Sequence, residues 1–358
     1  MPLGSAEQQL PALDHAIQAY PHSLGGADEK RKRRSMDSNR PLSKSARPMK
    51  MRQPVKLYDL LDSHDIDAVF AEISHIVGLL GAAAIDAPFS NIYQDVVRLF
   101  SGEYAGYRAS NTKYHNLEHT LMVTLATARL THGCAEAGFA FDAEDILIGL
   151  LAALYHDVGL IQADHDQSGT GAKYTVGHEK RSVAFMRSNL AHWAFTPAQM
   201  DDCAALIKCT NLKLDAAEIR FRTQSLALIG KIVGSSDLLA QIADRQYLEK
   251  LCLLFKEFEE AGMPGFVSES ELLEKTEDFY HHVARKRLYE DFGGLCDYMR
   301  FHFRNRWGID RDLYAEAINH NIAYLKEIMD AGGTDRGLYR YFLKRGRIRP
   351  PDSSEASE

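Results

Sequence analysis

NTKYHNLEHTLMV, residues 111–123, contains two histidines four positions apart, His115 and His119. A helix through this stretch would bring both imidazoles to one face, because side chains four residues apart lie one above the other on a helix. The stretch therefore predicts a helix that presents two histidines to one site.

A second polar motif, YHDVG at residues 155–159, ends the longest apolar run of the chain, which extends from Ile146 to Tyr155. This run predicts a buried core helix. Placing His156 and Asp157 at the end of such a helix costs several kcal/mol unless something compensates for their burial. A divalent cation would do so.

A third acid, Asp237, stands inside a second largely apolar segment, which predicts a helix from Leu226 to Ile242. Each of these features has an ordinary explanation: a lone histidine on an apolar face is usually a core residue, and Asp237 could be a helix cap or an ion-pair partner. Taken together, however, the histidines and acids form a set that suits divalent metals.

The rest of residues 57–345 follows a helical pattern almost throughout. Apolar residues recur near a period of 3.6 from Tyr58 to Ile73 and from Leu313 to Leu325. No segment shows the alternation of a half-buried strand. The sequence therefore predicts one all-α domain over residues 57–345, large enough to enclose a deep pocket.

Composition separates this domain from the ends of the chain. The chain has 358 residues, 45% of them hydrophobic and 25% charged, which excludes collagen, mucin-like stalks and a wholly disordered chain. Residues 30–56, by contrast, carry eleven Lys or Arg and one acid. We expect residues 1–56 to form a disordered basic arm, which could contact nucleic acid or anionic surfaces or simply remain solvated. Residues 346–358 are expected to be a flexible tail.

The sequence favours a cytoplasmic protein. No apolar run reaches the roughly 18 residues of a membrane-spanning helix, and no basic region followed by an apolar stretch suggests secretion. The five cysteines are odd in number and form no CxxC pair, which disfavours a disulfide framework and a zinc ribbon.

The ordered set of His119, His156-Asp157 and Asp237 resembles the H…HD…D ligands of the HD-domain metal-dependent phosphohydrolases. The segment from Tyr114 to His119 looks more specifically like the YHNxxH signature of the class I cyclic-nucleotide phosphodiesterases. This resemblance implies a multi-helix HD-domain bundle with a buried binuclear metal site.

Carried over position by position, the resemblance implies that His119, His156, Asp157 and Asp237 bind a first divalent ion. Asp157 would bridge to a second ion, which could be Mg, Mn, Zn, Fe, Co or Ni, as for the first. A metal-bound hydroxide would attack the phosphorus atom, and His115 would protonate the leaving oxygen as the general acid. The implied function is a phosphodiesterase-like hydrolase acting on a small nucleotide-type phosphoester.

His178 follows Asp157 by 21 residues and precedes a predicted helix from Glu179 to Leu190. Many HD proteins carry a further ligand on the helix after the HD pair, so His178 is a candidate ligand of the second ion; it could equally face solvent at a helix start. The loop before it supplies Lys173 and Tyr174 as possible phosphate contacts.

Two departures from the phosphodiesterase pattern bear on the substrate. The motif continues as HDxxH in those enzymes, whereas this chain has Leu160 at the second histidine. The final glutamine, Gln246, lies only nine residues beyond Asp237, although those enzymes hold the purine with a glutamine much further downstream. The resemblance therefore does not identify the base.

Two other functions are compatible with the motifs. A di-iron oxygenase of the HD type would need two more histidines on separate helices between the HD pair and Asp237, and the helical candidates there are His178 and His192, fourteen residues apart. One helix would place these two residues roughly 20 Å apart, too far for one site. The other function is a catalytically inactive metal-binding sensor or scaffold.

Overall fold

The computed structural model describes residues 54–331 and Leu343. All but the last three positions of the predicted basic arm, and the whole of the predicted tail at residues 346–358, lie outside this part of the chain. Within it the protein is helical, and the only β-type pairing is a single bridge between Tyr107 and Ala163. The all-α prediction is confirmed.

Twelve α-helical segments can be numbered along the described residues: α1 Ile66–Leu79, α2 Asp86–Ser101, α3 Leu117–Glu136, α4 Ala143–Tyr155, α5 His178–His192, α6 Pro197–Ile207, α7 Gln224–Ala243, α8 Tyr247–Glu260, α9 Glu269–Glu274, α10 Thr276–Asp278, α11 Met299–Trp307 and α12 Leu313–Asp330. Wider π-helical turns, Phe279–Ala284 and Lys286–Asp291, follow α10. Short 3-10 turns complete the fold: Leu57–Asp59, Ala83–Ile85, Val158–Leu160, Gly171–Tyr174, Lys208–Thr210, Ala216–Glu218 and Leu295–Tyr298.

Helices α3 and α7 form the centre of the bundle. They pack against each other; α1, α4 and α11 also pack on α3, and α4, α6 and α12 pack on α7. Every residue of α3 from Val123 to Cys134 is buried, as expected for a helix enclosed by neighbours on all sides. The two central helices carry His119 and Asp237 among the candidate ligands.

The apolar character of α7 follows from this position. By length and composition alone α7 could cross a membrane, with a mean hydropathy of 1.4 over its most apolar window. However, 72% of that window is buried inside the protein, which is the behaviour of a core helix.

One helix begins later than the sequence pattern predicts. The helical periodicity extends from Tyr58 to Ile73, but α1 begins at Ile66 because the Asp65 side chain accepts a hydrogen bond from the backbone N–H of Ala68 and caps the helix. Tyr58 and Leu61 precede it, in a 3-10 turn and a loop. The second predicted stretch, from Leu313, is confirmed as α12.

Candidate metal centre

Three parts of the fold bring the predicted ligands together. The Nε2 atom of His119, in the first turn of α3, lies 3.6 Å from Asp157 Oδ2 and 3.4 Å from Asp237 Oδ1. The Nε2 atom of His156, at the end of α4, lies 3.3 Å and 3.8 Å from the same two oxygens. The four predicted ligands of the first ion therefore converge on one point, although they are spread over 119 positions of sequence.

Two atoms of this cluster are buried and lack any hydrogen-bond partner: Nε2 of His156 and Oδ2 of Asp157. A polar atom in this state costs about 1–3 kcal/mol. Single donor atoms of His119, His156 and Asp157 also lie within 4.8 Å of one another, close enough to share a metal ion. A cation coordinated here would satisfy both unpartnered atoms, so the residues present fit a metal site.

Backbone carbonyls fix the orientation of two imidazoles. Nδ1 of His156 lies 2.7 Å from the carbonyl oxygen of Ala153, and Nδ1 of His178 lies 2.9 Å from that of Thr175. A carbonyl only accepts, so each Nδ1 carries a proton and each Nε2 is free to act as a ligand in the neutral ring. This arrangement is typical of histidines that bind metals.

His178, the first residue of α5, also reaches the centre. Its Nε2 lies 3.2 Å from Oδ1 of Asp157, whereas His119 and His156 face Oδ2. The two oxygens of one carboxylate thus face different histidines. Asp157 therefore lies between His178 on one side and His119 and His156 on the other.

A glycine permits this approach of α5. A Cβ added to Gly159 would lie 2.1 Å from the His178 carbonyl oxygen and 2.6 Å from the Ser182 backbone nitrogen, so any side chain would push α5 away. The contact is held by Ser182, whose Oγ donates to the His156 carbonyl at 2.6 Å and accepts from the Gly159 N–H at 2.9 Å.

The electrostatics of the centre reflect the buried carboxylate of Asp157. Burial by itself would lower the pKa of His156 and of His178, but the adjacent Asp157 carboxylate outweighs burial and raises both pKa values to about 9, that of His156 chiefly through its charge. Conversely, burial raises the pKa of Asp157, and His156 and His178 bring it well below its ordinary range. The site is thus organised to bind positive charge.

His115 occupies a different element from the predicted one. It precedes α3 instead of sharing the helix with His119, because the Asn116 side chain accepts from the His119 backbone N–H at 3.0 Å and caps the helix there. The two rings are nevertheless only 5.8 Å apart, edge to face. The prediction that His115 and His119 share one helix face is wrong, but the two imidazoles do lie close together.

Glu257, on α8, is the site residue that sequence reasoning missed. Its Oε2 lies 2.6 Å from Nδ1 of His115, and its Oε1 accepts from the backbone N–H groups of Lys113 and Tyr114, each at 2.7 Å. Burial lowers the pKa of His115, but the hydrogen bond to Glu257 and the charge of Asp157 outweigh it, and the pKa is raised. An acid three residues after buried Leu254 on α8 was the available signal.

Other predicted features fall outside the centre. Lys173 and Tyr174 both bind Asp166 within their own loop, Lys173 at 2.6 Å, instead of reaching the ligand cluster. His192 is the exposed last residue of α5, as the sequence suggested. Asp237 lies in the interior of α7, so the alternative that it caps a helix is wrong.

Comparison with protein-family models matches residues 88–295 to the Npun_R2479-like family. The match covers more than half of the chain and includes α3, the end of α4, α5 and α7, hence every candidate ligand. No curated protein matches the sequence significantly. The chain belongs to the Npun_R2479-like family.

Proposed function

We propose that this protein is a metal-dependent phosphohydrolase of the HD type, which cleaves a nucleotide-type phosphodiester. The observation that carries the proposal is the pair of buried, unpartnered ligand atoms, His156 Nε2 and Asp157 Oδ2, between His119 and Asp237. A buried polar cluster of this kind is costly unless it binds something, and its His and Asp donors suit a divalent ion.

Two divalent ions fit the donors. His119, His156, Asp157 and Asp237 would hold the first, and Asp157 with His178 would contribute to the second, whose remaining ligands would be water. When bound, such ions supply an activated water and neutralise the charge on the phosphoryl oxygens. Their identity among Mg, Mn, Zn, Fe, Co and Ni is left open by mixed His and Asp ligation.

His115 supplies the proton for the leaving oxygen. Its Nδ1–H is directed at Glu257, so the Nε2–H of the protonated ring is the proton available for transfer. The raised pKa of His115 keeps the ring protonated at higher pH than an ordinary histidine. Proton donation of this kind is typically worth about 10²–10⁴ in rate.

The substrate proposal stops at the class of a small nucleotide-type phosphoester. Leu160, where the phosphodiesterases have a further histidine, is buried in the 3-10 turn after Asp157.

A cytoplasmic location is part of the proposal. All five cysteines are free thiols, as a reducing compartment would keep them.

The di-iron oxygenase has less support. The second additional histidine that it requires would be His192, which is exposed and lies fourteen residues along α5 from His178. That distance along a helix is roughly 20 Å. A metal-binding scaffold without activity is the alternative that the following test addresses.

The test uses His115→Gln and two kinds of substrate. Loss of a general acid slows the departure of a poor leaving group far more than that of a good one, so we expect kcat to fall about 10²–10⁴-fold on a cyclic nucleotide but much less on bis(p-nitrophenyl) phosphate. His165→Gln, in an exposed loop, is the matched control. If His115→Gln hydrolyses the cyclic nucleotide as fast as the wild type does, His115 is not the general acid. If the wild-type protein binds metal but hydrolyses neither substrate, the result favours the scaffold.

A further inference from the structure

Arg129, ten residues after His119 on α3, is a buried cation without an acidic partner. It is 3% exposed, and within the described part of the chain no carboxylate lies at ion-pair distance from it. Its Nη1 donates to the Tyr314 hydroxyl at 3.3 Å, and its guanidinium lies 5.8 Å from the centre of the Phe303 ring. Both Nε and Nη2 are buried without a hydrogen-bond partner.

The unpartnered atoms form the edge of the guanidinium that binds oxyanions. Nε and Nη2 point in parallel and match the two oxygens of a carboxylate or phosphate. Arg300 uses the same edge in this way and holds the two carboxylate oxygens of Asp310 at 2.7 Å and 2.9 Å. Arg222 also uses this edge for an acid, and its Nε and Nη2 donate to Oδ2 of Asp202 at 3.0 Å and 2.6 Å. In Arg129 the two nitrogen atoms of this edge have no acid as a partner among the described residues.

Arg129 also lines a cleft that could admit a ligand. The cleft lies between the segment that precedes α1, helices α3 and α7, and Tyr314 of α12, and it has a cavity volume of about 110 Å³. Small-molecule sites are mostly apolar with a few placed polar groups, and this cleft has the same character. Its apolar walls are formed by Leu57, Leu61, Met122, Leu125, Ala240 and Ala243.

The other charged residues of the cleft are already paired. Lys250 contacts Glu118 at 3.1 Å and Asp244 at 2.5 Å. Arg245 is exposed and stacks on the Tyr58 ring at 4.6 Å. Among the residues that line the cleft, Arg129 is therefore the cation whose charge is both buried and uncompensated, and a buried charge in this state is expensive.

We propose that this cleft binds a small molecule composed of an apolar body and one oxyanion, a carboxylate or a phosphate. The oxyanion accepts from Nε and Nη2 of Arg129 after a small rotation of the side chain toward the cleft, and the body contacts Met122 and Leu125. His119 also lines the cleft, but ten residues of helix place Arg129 about 15 Å away from it, at the other end of the cleft. The anion is thus held apart from the metal ligands, and the site does not depend on the hydrolytic function proposed above.

The test measures binding of octanoate, octyl phosphate and the neutral octanol by isothermal titration calorimetry to the full-length protein. We expect saturable 1:1 binding of at least one of the two anions, about 10- to 100-fold tighter than octanol. Comparison of the affinities for octanoate and octyl phosphate shows whether the site prefers a carboxylate or a phosphate. If neither anion binds, or if octanol binds equally well, the proposal is wrong.

Variants locate the site. Arg129→Gln should abolish the preference for the anion, whereas Arg304→Gln, which removes an equal charge from an exposed arginine stacked on Phe301, should not. Asp157→Asn should retain anion binding. If binding requires Asp157 and not Arg129, the anion sits at the metal centre and the proposal fails. Ala240→Leu keeps Arg129 but fills the cleft, so it should weaken binding of the anion. This variant tests the site even if Arg129→Gln does not fold.

Discussion

Glu257 and His115 lie 142 residues apart in sequence, and Oε2 of the acid lies 2.6 Å from Nδ1 of the imidazole. The same carboxylate holds two backbone N–H groups of the loop that carries His115. Helix α8 therefore fixes both the position and the orientation of the proposed proton donor. The acid is 6% exposed, so water weakens this interaction little.

Glu257→Gln should reduce turnover without removing metal. The amide oxygen can still accept from the loop, but the charge that favours protonated His115 is lost. We expect kcat to fall about tenfold or more on a cyclic nucleotide and to change little on bis(p-nitrophenyl) phosphate, with metal content unchanged. Glu260→Gln, at the exposed end of the same helix, is the control. An equal loss on both substrates would indicate a purely structural role for Glu257.

Metal binding should stabilise the fold. A ligand present at 100 times its Kd stabilises the native state by about 2.7 kcal/mol, which corresponds to a rise in Tm of roughly 5–10 °C for a domain of this size. Asp237→Asn should remove most of this rise in a Mn²⁺ titration followed by differential scanning fluorimetry. Asp164→Asn, in an exposed loop, should respond as the wild type does. An equal response of both variants would argue that the ion binds elsewhere.

Gly159→Ala should separate α5 from the centre. The new methyl group would meet the His178 backbone at 2.1 Å, and overpacking of this kind costs about 1–3 kcal/mol. Because His178 begins α5, the second ion should be lost before the first. Metal content should fall toward one ion per chain, whereas Gly78→Ala, at an exposed position of α1 with free space around it and ordinary helical backbone, tests the effect of a methyl group alone. Two ions in Gly159→Ala would contradict this role of the turn.

A buried histidine pair should make the protein sensitive to acid. His132 and His302 face each other with their Nδ1 atoms 3.1 Å apart, and burial lowers both pKa values, that of His302 to about 2. The folded state thus excludes a proton that the unfolded state binds below about pH 6.5. Stability is therefore complete above that pH and falls below it, by up to about 1.4 kcal/mol per pH unit for each group.

The measurement is urea unfolding at pH 7.5 and pH 5. His302→Leu should lose less stability between these two values than the wild type, by about 2 kcal/mol for the 1.5 pH units below 6.5. His281→Leu, at an exposed position, should match the wild type. If His302→Leu and the wild type have the same pH dependence, the pair does not control acid stability.

The sequence motifs predicted which histidines and acids come together, because these residues are marked by their type and by the apolar helices around them. His156 and Asp157 stood out as a polar pair at the end of an apolar run, and Asp237 as an acid within one. The limits of α4 and α7 were close to the observed ones for the same reason.

What the sequence did not reveal depends on contacts between distant segments. Glu257 reaches His115 only because α8 packs near the start of α3, and no local pattern records that contact. The placement of His115 on a helix failed because the Asn116 cap, a single hydrogen bond, overrode the four-residue spacing. Arg129 looked like any helical arginine until its lack of an acid became visible in three dimensions.

The most direct test of the account measures metal content and hydrolysis on one sample of purified protein. Inductively coupled plasma mass spectrometry gives the ions per chain, and bis(p-nitrophenyl) phosphate with and without added Mn²⁺ gives the turnover, for the wild type, Asp157→Asn and the control Asp164→Asn. The account predicts two divalent ions and Mn²⁺-supported hydrolysis in the wild type and the control, with both lost in Asp157→Asn. A wild-type protein that holds no metal and hydrolyses no phosphodiester, or an Asp157→Asn variant that keeps full activity, would contradict it.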